Sequence, residues 1–397
     1  PAVDLLLTTH HLHAGLETKL NALTSLNVGL EGRFQENVAD PSTGVRRLIP
    51  DYEQYDFAAF AIADHRFNDR LVGEVGLRYD YRYMDVLKFY RKTFWESRGY
   101  DELYPEIVVE DFGTQVLTNP QPDFSNFSAT AGINYSFSDG YVLYANYSLA
   151  MRAPNASELY SDGLHHSASR IELGDLGFDS ETANRFSATL QKQTGRFRFT
   201  VNPFLNLIDD FILIEPTGVQ QTIRGNFQVW EYRQTQATLL GFDIDAQFNI
   251  SDALLYNGQF SFIKGYDRTM DLPLINMPPV STLNELVWTH PEFYDLRISL
   301  QSQYVFEQNE FPDNNFDVFI PETGESVEVD VSTPPPAYHL MHLSGDATFK
   351  LNEKSDLAVG LTINNLFDTS YRDYLNRLRY YADDLGRNII LNLKLNY

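Results

Sequence analysis

Apolar and polar positions alternate with a period of two along most of the chain. In segment 387–397, Ile389, Leu391, Leu393, Leu395 and Tyr397 take one face, while Asn392, Lys394 and Asn396 take the other. Successive side chains of a strand point to opposite faces, so this run predicts a β-strand with one side suited to hydrocarbon and one to water. The pattern recurs. Leu71, Gly73, Val75, Leu77, Tyr79, Tyr81 and Tyr83 oppose Glu74, Arg78, Asp80 and Arg82. Leu143, Ala145, Tyr147, Leu149 and Met151 oppose Tyr144, Asn146, Ser148 and Arg152, and segments 127–137, 242–250 and 357–364 read the same way. A soluble sandwich seldom carries so many strands of about ten or more residues. A transmembrane barrel requires them, apolar outside and polar within. The expected fold is therefore all-β, a transmembrane antiparallel β-barrel.

The connections sharpen this. Short turns fall near 21–24, 68–69, 138–140, 193–195, 251–252, 291–292 and 352–355. Longer, polar connections lie near 39–51, 88–122, 154–180, 216–226, 265–280, 307–337 and 368–386. Such alternation suits an outer-membrane barrel, with tight periplasmic turns and long external loops. No run of about eighteen apolar residues exists, so helical spans are not expected. Seven turns and seven loops imply fifteen strands, an odd number, whereas bacterial single-chain barrels have an even one. The chain starts at Pro1 and enters a strand-like run directly. The expectation is that residues 1–397 form the C-terminal part of a larger barrel, with the N-terminal plug and first strands absent.

Composition agrees. The 24 tyrosines and 28 phenylalanines supply interfacial girdles, and no cysteine is present. A net charge of −24 excludes a nucleic-acid footprint, which is basic. Segment 307–330 carries Glu310, Asp313, Asp317, Glu322, Glu325 and Glu328 without a lysine or arginine. It reads first as a solvated loop, and second as an electrostatic funnel for a cationic ligand.

Three motifs carry a family resemblance. Ile363-Asn364-Asn365-Leu366-Phe367-Asp368 leads to Tyr371, then to Gly386, Arg387 and a closing strand ending at Tyr397. Met151-Arg152-Ala153-Pro154 precedes Glu158-Leu159-Tyr160 and Gly163, and Gly241-Phe242-Asp243-Ile244-Asp245 opens a strand. Together these resemble the TonB-dependent outer-membrane receptors. The resemblance implies a 22-stranded barrel closed by a plug, of which about 15 strands would lie here. It also implies residence in the Gram-negative outer membrane, and work driven by the TonB–ExbB–ExbD system through an N-terminal segment outside this chain. No intrinsic cofactor is expected; the transported ligand would be an iron complex.

His165 and His166 follow the Arg-Ala-Pro box, and imidazole suits zinc and iron, so they are candidate metal ligands. In haem receptors resembling this chain, a histidine between such a box and a downstream Asn-Pro-Asn-Leu segment ligates iron. Gly174-Asp175-Leu176-Gly177-Phe178 stands there instead, which points away from haem. Arg152 is assigned to the lumen, pairing with acids such as Asp80 or Glu74, or with an anionic ligand group. Trp95, Tyr100 and Tyr104 sit in the loop 88–122, packing on a ligand or on a neighbouring loop. His11, His13, Asp80, Asn146 and His342 fall on the polar, lumenal face; a shared ion at His11 and His13 would need a third ligand.

The expected function is import of a metal-containing nutrient, foremost a ferric siderophore, with zinc and haem as lesser options. A passive porin, or a barrel that anchors a surface-protein partner, are the alternatives. An enzyme is disfavoured, since no nucleophile and base are brought together by the pattern.

Overall fold

Alternating side chains and tight turns produce a long antiparallel meander. The computed structural model describes residues 4–40, 42, 47–222, 225–320 and 323–397. Its wall strands are β1 (Leu5–Lys19), β2 (Thr24–Ala39), β3 (Asp51–Arg66), β4 (Leu71–Arg91), β5 (Asp123–Ser136), β6 (Tyr141–Arg152), β7 (Glu181–Lys192) and β8 (Phe197–Thr222). They continue as β9 (Gly225–Asn249), β10 (Leu254–Asp267), β11 (Ser281–His290), β12 (Leu296–Val305), β13 (Tyr338–Lys350), β14 (Asp356–Asn364) and β15 (Asn388–Asn396). Each is antiparallel to the next. Among the described residues β1 is laddered only to β2, and β15 only to β14, so each has one open edge.

The face assignment holds in the wall. Leu12, Leu16, Val75, Leu77, Ile133 and Leu393 are exposed apolar residues on one side. The other side carries ion pairs, including His13 Nδ1–Glu31 at 3.4 Å and Arg78–Glu31 at 2.8 Å. Aromatic rows bound the apolar face. Phe34 and Tyr55 pack at 5.0 Å toward the long loops; Tyr135 and Phe137 pack at 4.6 Å beside a short turn. Amphipathic rings suit such boundaries.

One expectation fails. The connection placed near 216–226 is mostly strand, because β8 runs to Thr222 and β9 begins at Gly225. Polar residues there belong to a hairpin that outlasts the wall. A bulge between Ile208 and Phe211 interrupts the ladder, with Asp210 at φ 56°. Such an extra residue bends and twists the strand pair.

Buried apolar packing gathers at the long-loop end. Met84, Val86, Leu159, Tyr160, Phe178 and Ile212 form one cluster; Tyr90, Trp95, Tyr100 and Val116 form another. The wall itself is a single sheet, and among the described residues no second layer packs on its apolar face.

Candidate functional site

At the end of β6, Arg152 is followed by a short helix, α1 (Ala156–Tyr160). Asn155 caps it, its Oδ1 accepting from Ser157 N at 2.9 Å and Glu158 N at 3.0 Å. Glu158 closes the capping box by accepting from Asn155 N at 2.8 Å. The same carboxylate receives Arg152 at 2.9 and 3.1 Å. Arg152 Nε also donates to Glu181 at 2.5 Å, and Glu181 accepts from Ile212 N at 2.6 Å. Arg152 thus ties helix to wall. Its partners are not Asp80 or Glu74: Asp80 is held by Arg78 at 2.8 Å on β4, which β5 separates from β6. The sequence placed Arg152 on the right strand face but could not see the helix that folds back onto it.

Gly174 passes against α1 so closely that an added Cβ would lie 2.5 Å from Glu158 O. Asp175 N donates to that same carbonyl at 3.0 Å. Before it, Asp162–His165 and Arg170–Leu173 form a hairpin whose second arm runs parallel to Gln228, Val229, Trp230 and Glu231 of β9. His165 Nδ1 sits 2.9 Å from Glu172 Oε1, which also accepts from Arg170 Nε at 2.8 Å. His166 is exposed in the hairpin turn. The two imidazoles therefore occupy different surroundings. Among the described residues no group of three or more His, Cys, Asp or Glu is gathered to hold an ion.

The aromatic loop is a packed unit. Trp95 and Tyr100 are only 2% and 3% exposed and pack against Tyr90, Trp95 tilted and Tyr100 edge-on, with Tyr104 edge-on to Tyr100 at 5.5 Å. Tyr100 donates its hydroxyl to Asp175 at 2.9 Å, joining this loop to the one after α1. Burial, with the Asp175 carboxylate beside it, pushes the Tyr100 phenol up. These rings meet a neighbouring loop.

On the polar wall face His11 is exposed near the paired His13. Asn146 donates to Thr130 Oγ1 at 3.0 Å, and His342 Nδ1 lies 3.2 Å from Asn364. The C-terminal motif has a mechanical role. Asn365, at φ 50°, bonds both ways with Thr369 at 2.8 Å. Asp368 accepts from Arg387 N at 2.7 Å, with Gly386 so near that a Cβ would lie 2.8 Å from it; Arg387 Nε also donates to Leu366 O at 3.1 Å. Asn365, Leu366, Asp368, Gly386 and Arg387 clasp the base of the last loop, while Phe367 is exposed.

Sequence reasoning missed a cavity of about 210 Å³ between that loop, the hairpin and β9, lined by Arg170, Trp230, Arg377, Arg379, Tyr380 and Tyr381 among others. The one signal was a run of basic and aromatic residues, Arg377, Arg379, Tyr380 and Tyr381, in an otherwise acidic chain.

A meander of long strands, tight turns at one end and interlocked loops at the other, defines a receptor-type membrane barrel. Residues 3–366 match the family described as TonB dependent receptor-like, beta-barrel, and the chain belongs to that family. A rhizobactin receptor of Rhizobium meliloti (strain 1021) is 21% identical over 381 residues, covering 93% of this chain and 45% of its own length. The copper transporter OprC superposes with a TM-score of 0.74 at 15% identity, over 100% of this chain and 57% of that one. The FrpB iron transporter from Neisseria meningitidis (F3-3 variant) gives 0.66 at 16% identity, over 98% and 55%. At such identities these two structures establish the fold alone. The chain spans about half the length of the relatives it matches. The named relatives are a receptor and transporters, and the family is one of Gram-negative outer-membrane barrels.

Proposed function

We propose that this barrel belongs to an outer-membrane importer of a metal chelate, foremost a ferric siderophore, energised through the TonB–ExbB–ExbD system. The observation that carries the reading is the match to a rhizobactin receptor across 93% of the chain. Ligand is captured at the long-loop end, where loops from distant strands interlock, and passes along the polar wall face. His165, His166 and Arg152 are the proposed contacts at the loop mouth, with Tyr104 at its aromatic side. The plug and seven further strands are proposed to lie in the same polypeptide. Support comes from the open edges of β1 and β15, since unpaired backbone in lipid costs several kcal/mol per group.

Radioiron uptake from a panel of ferric siderophores tests this, in cells with and without the gene and with TonB depleted. One chelate should enter in a gene- and TonB-dependent manner. Unselective conductance of small solutes by the purified protein, without saturable uptake, would leave the porin instead. For the histidines, replacing His165 and His166 together by Ala should weaken chelate binding and leave the barrel folded. Unchanged affinity dismisses them.

A further inference from the structure

The cavity beside the last loop holds a buried guanidinium with no direct ion pair, the nearby Asp330 acting only on the Tyr380 phenol. Arg379 is 6% exposed, with its guanidinium 4.3 Å from the Tyr374 ring centre and 4.7 Å from that of Tyr380. It donates to the Tyr374 carbonyl and to the Tyr380 hydroxyl, both neutral, and its Nε has no partner. Arg377, exposed on the rim, has no ion pair among the described residues, and neither has Arg379. Arg170 is the exception, since Glu172 neutralises it while its guanidinium lies 4.4 Å over Trp230.

Both guanidiniums stand without an ion pair in a chain with 54 acidic and 30 basic residues, and Arg379 does so while buried. A buried cation without a counter-charge is costly. Cation–π contact with the tyrosines offsets part of this and fixes the side chain, but supplies no negative charge. The guanidinium fork matches a carboxylate, and ring-lined walls exclude the water that would compete for it. At about 210 Å³ the space is below the roughly 300 Å³ usual for a whole drug-sized ligand, so it suits one arm of a larger molecule.

We infer that this cavity is a subsite for one carboxylate-bearing arm of the captured ligand, held by Arg377 and Arg379. The inference rests on the import reading, in that it takes the long-loop end as the capture side, and it adds the charge of what is captured.

The test is equilibrium binding of citrate to the full-length protein in detergent at low ionic strength, by calorimetry and by Trp230 fluorescence. Wild type should bind citrate saturably. Arg377→Gln, at an exposed position that leaves the packing intact, and Arg379→Lys, which keeps the charge but loses the fork, should each weaken binding about tenfold or more, the equivalent of one charged hydrogen bond. No saturable binding by wild type, or wild-type affinity in both variants, overturns the inference. Phosphate competing as well as citrate overturns the carboxylate assignment. Citrate binding with this arginine dependence, in cells that show no TonB-dependent iron uptake, would sink the import reading while sparing the subsite. Robust uptake with unaltered citrate binding in the variants would do the reverse.

Discussion

The wall and the long-loop end are made from the same chain by opposite rules. In the wall, Leu12 is 74% exposed and is well placed, because the surrounding hydrocarbon replaces a protein core. At the loop end Leu159 is 2% exposed, packed with Met84, Val86 and Tyr160 as in a soluble protein. Wall stability comes from cross-strand ladders in an apolar solvent. Loop-end stability comes from burial and from charge-assisted bonds such as those of Arg152 to Glu158 and Glu181. Each region should therefore fail under different substitutions.

The largest effect is expected where a charge enters the lipid face. Leu143→Arg or Val359→Arg should destabilise the barrel by about 2–4 kcal/mol near mid-bilayer, read from denaturant refolding into vesicles. Asn146→Arg, on the polar face, should cost clearly less. Equal damage at 143 and 146 would erase the distinction between the faces. Next, Leu159→Ala should cost roughly 2–3 kcal/mol, confined to the loops. Hydrogen exchange should rise across 153–180 while the wall strands stay protected; exchange rising throughout would mean that the two regions unfold as one. Asn155→Ala removes the α1 cap, for about 1 kcal/mol, again visible only in loop exchange.

The smallest effect concerns pH. Bonds from Thr333 hold Asp330 below the usual carboxylate range, and the Ser370 hydroxyl and Arg372 do the same for Asp383. A carboxyl depressed in the folded state stabilises it above the unfolded value of about 4, and that contribution disappears as pH falls through the lower folded value. Brief proteolysis in detergent at pH 6 and pH 3, with an acid-tolerant protease, should therefore cut the loops around 330 and 383 more readily at the lower pH. Equal cutting at both would show that those carboxylates do not hold the loops.

How much was legible follows the same division. Period-two alternation and tight turns are local, so Leu143 facing out and Asn146 facing in could be read directly, as could fifteen strands. The 216–226 segment misled because polar residues above the lipid look alike in a loop or in a hairpin continuing as strand. The site was harder still. Arg152 meets Glu181 across 29 positions, and Arg379 shares a cavity with Trp230 from a loop 149 residues away in sequence. Such meetings depend on the barrel bringing distant loops over one opening, and no periodicity encodes them.

The β8–β9 hairpin gives the molecule a height as well as a perimeter. A membrane-crossing strand needs about 9–11 residues at a tilt near 45°, whereas these strands have 26 and 25. At about 3.3 Å per residue, the surplus would lift the hairpin on the order of 35 Å beyond the hydrocarbon. Trp230 and the arm from Arg170 to Leu173 are fastened to that post. The proposed anion pocket is thereby braced against a stiff two-stranded mast, and an approaching solute, antibody or phage would reach the mast before it reached the membrane.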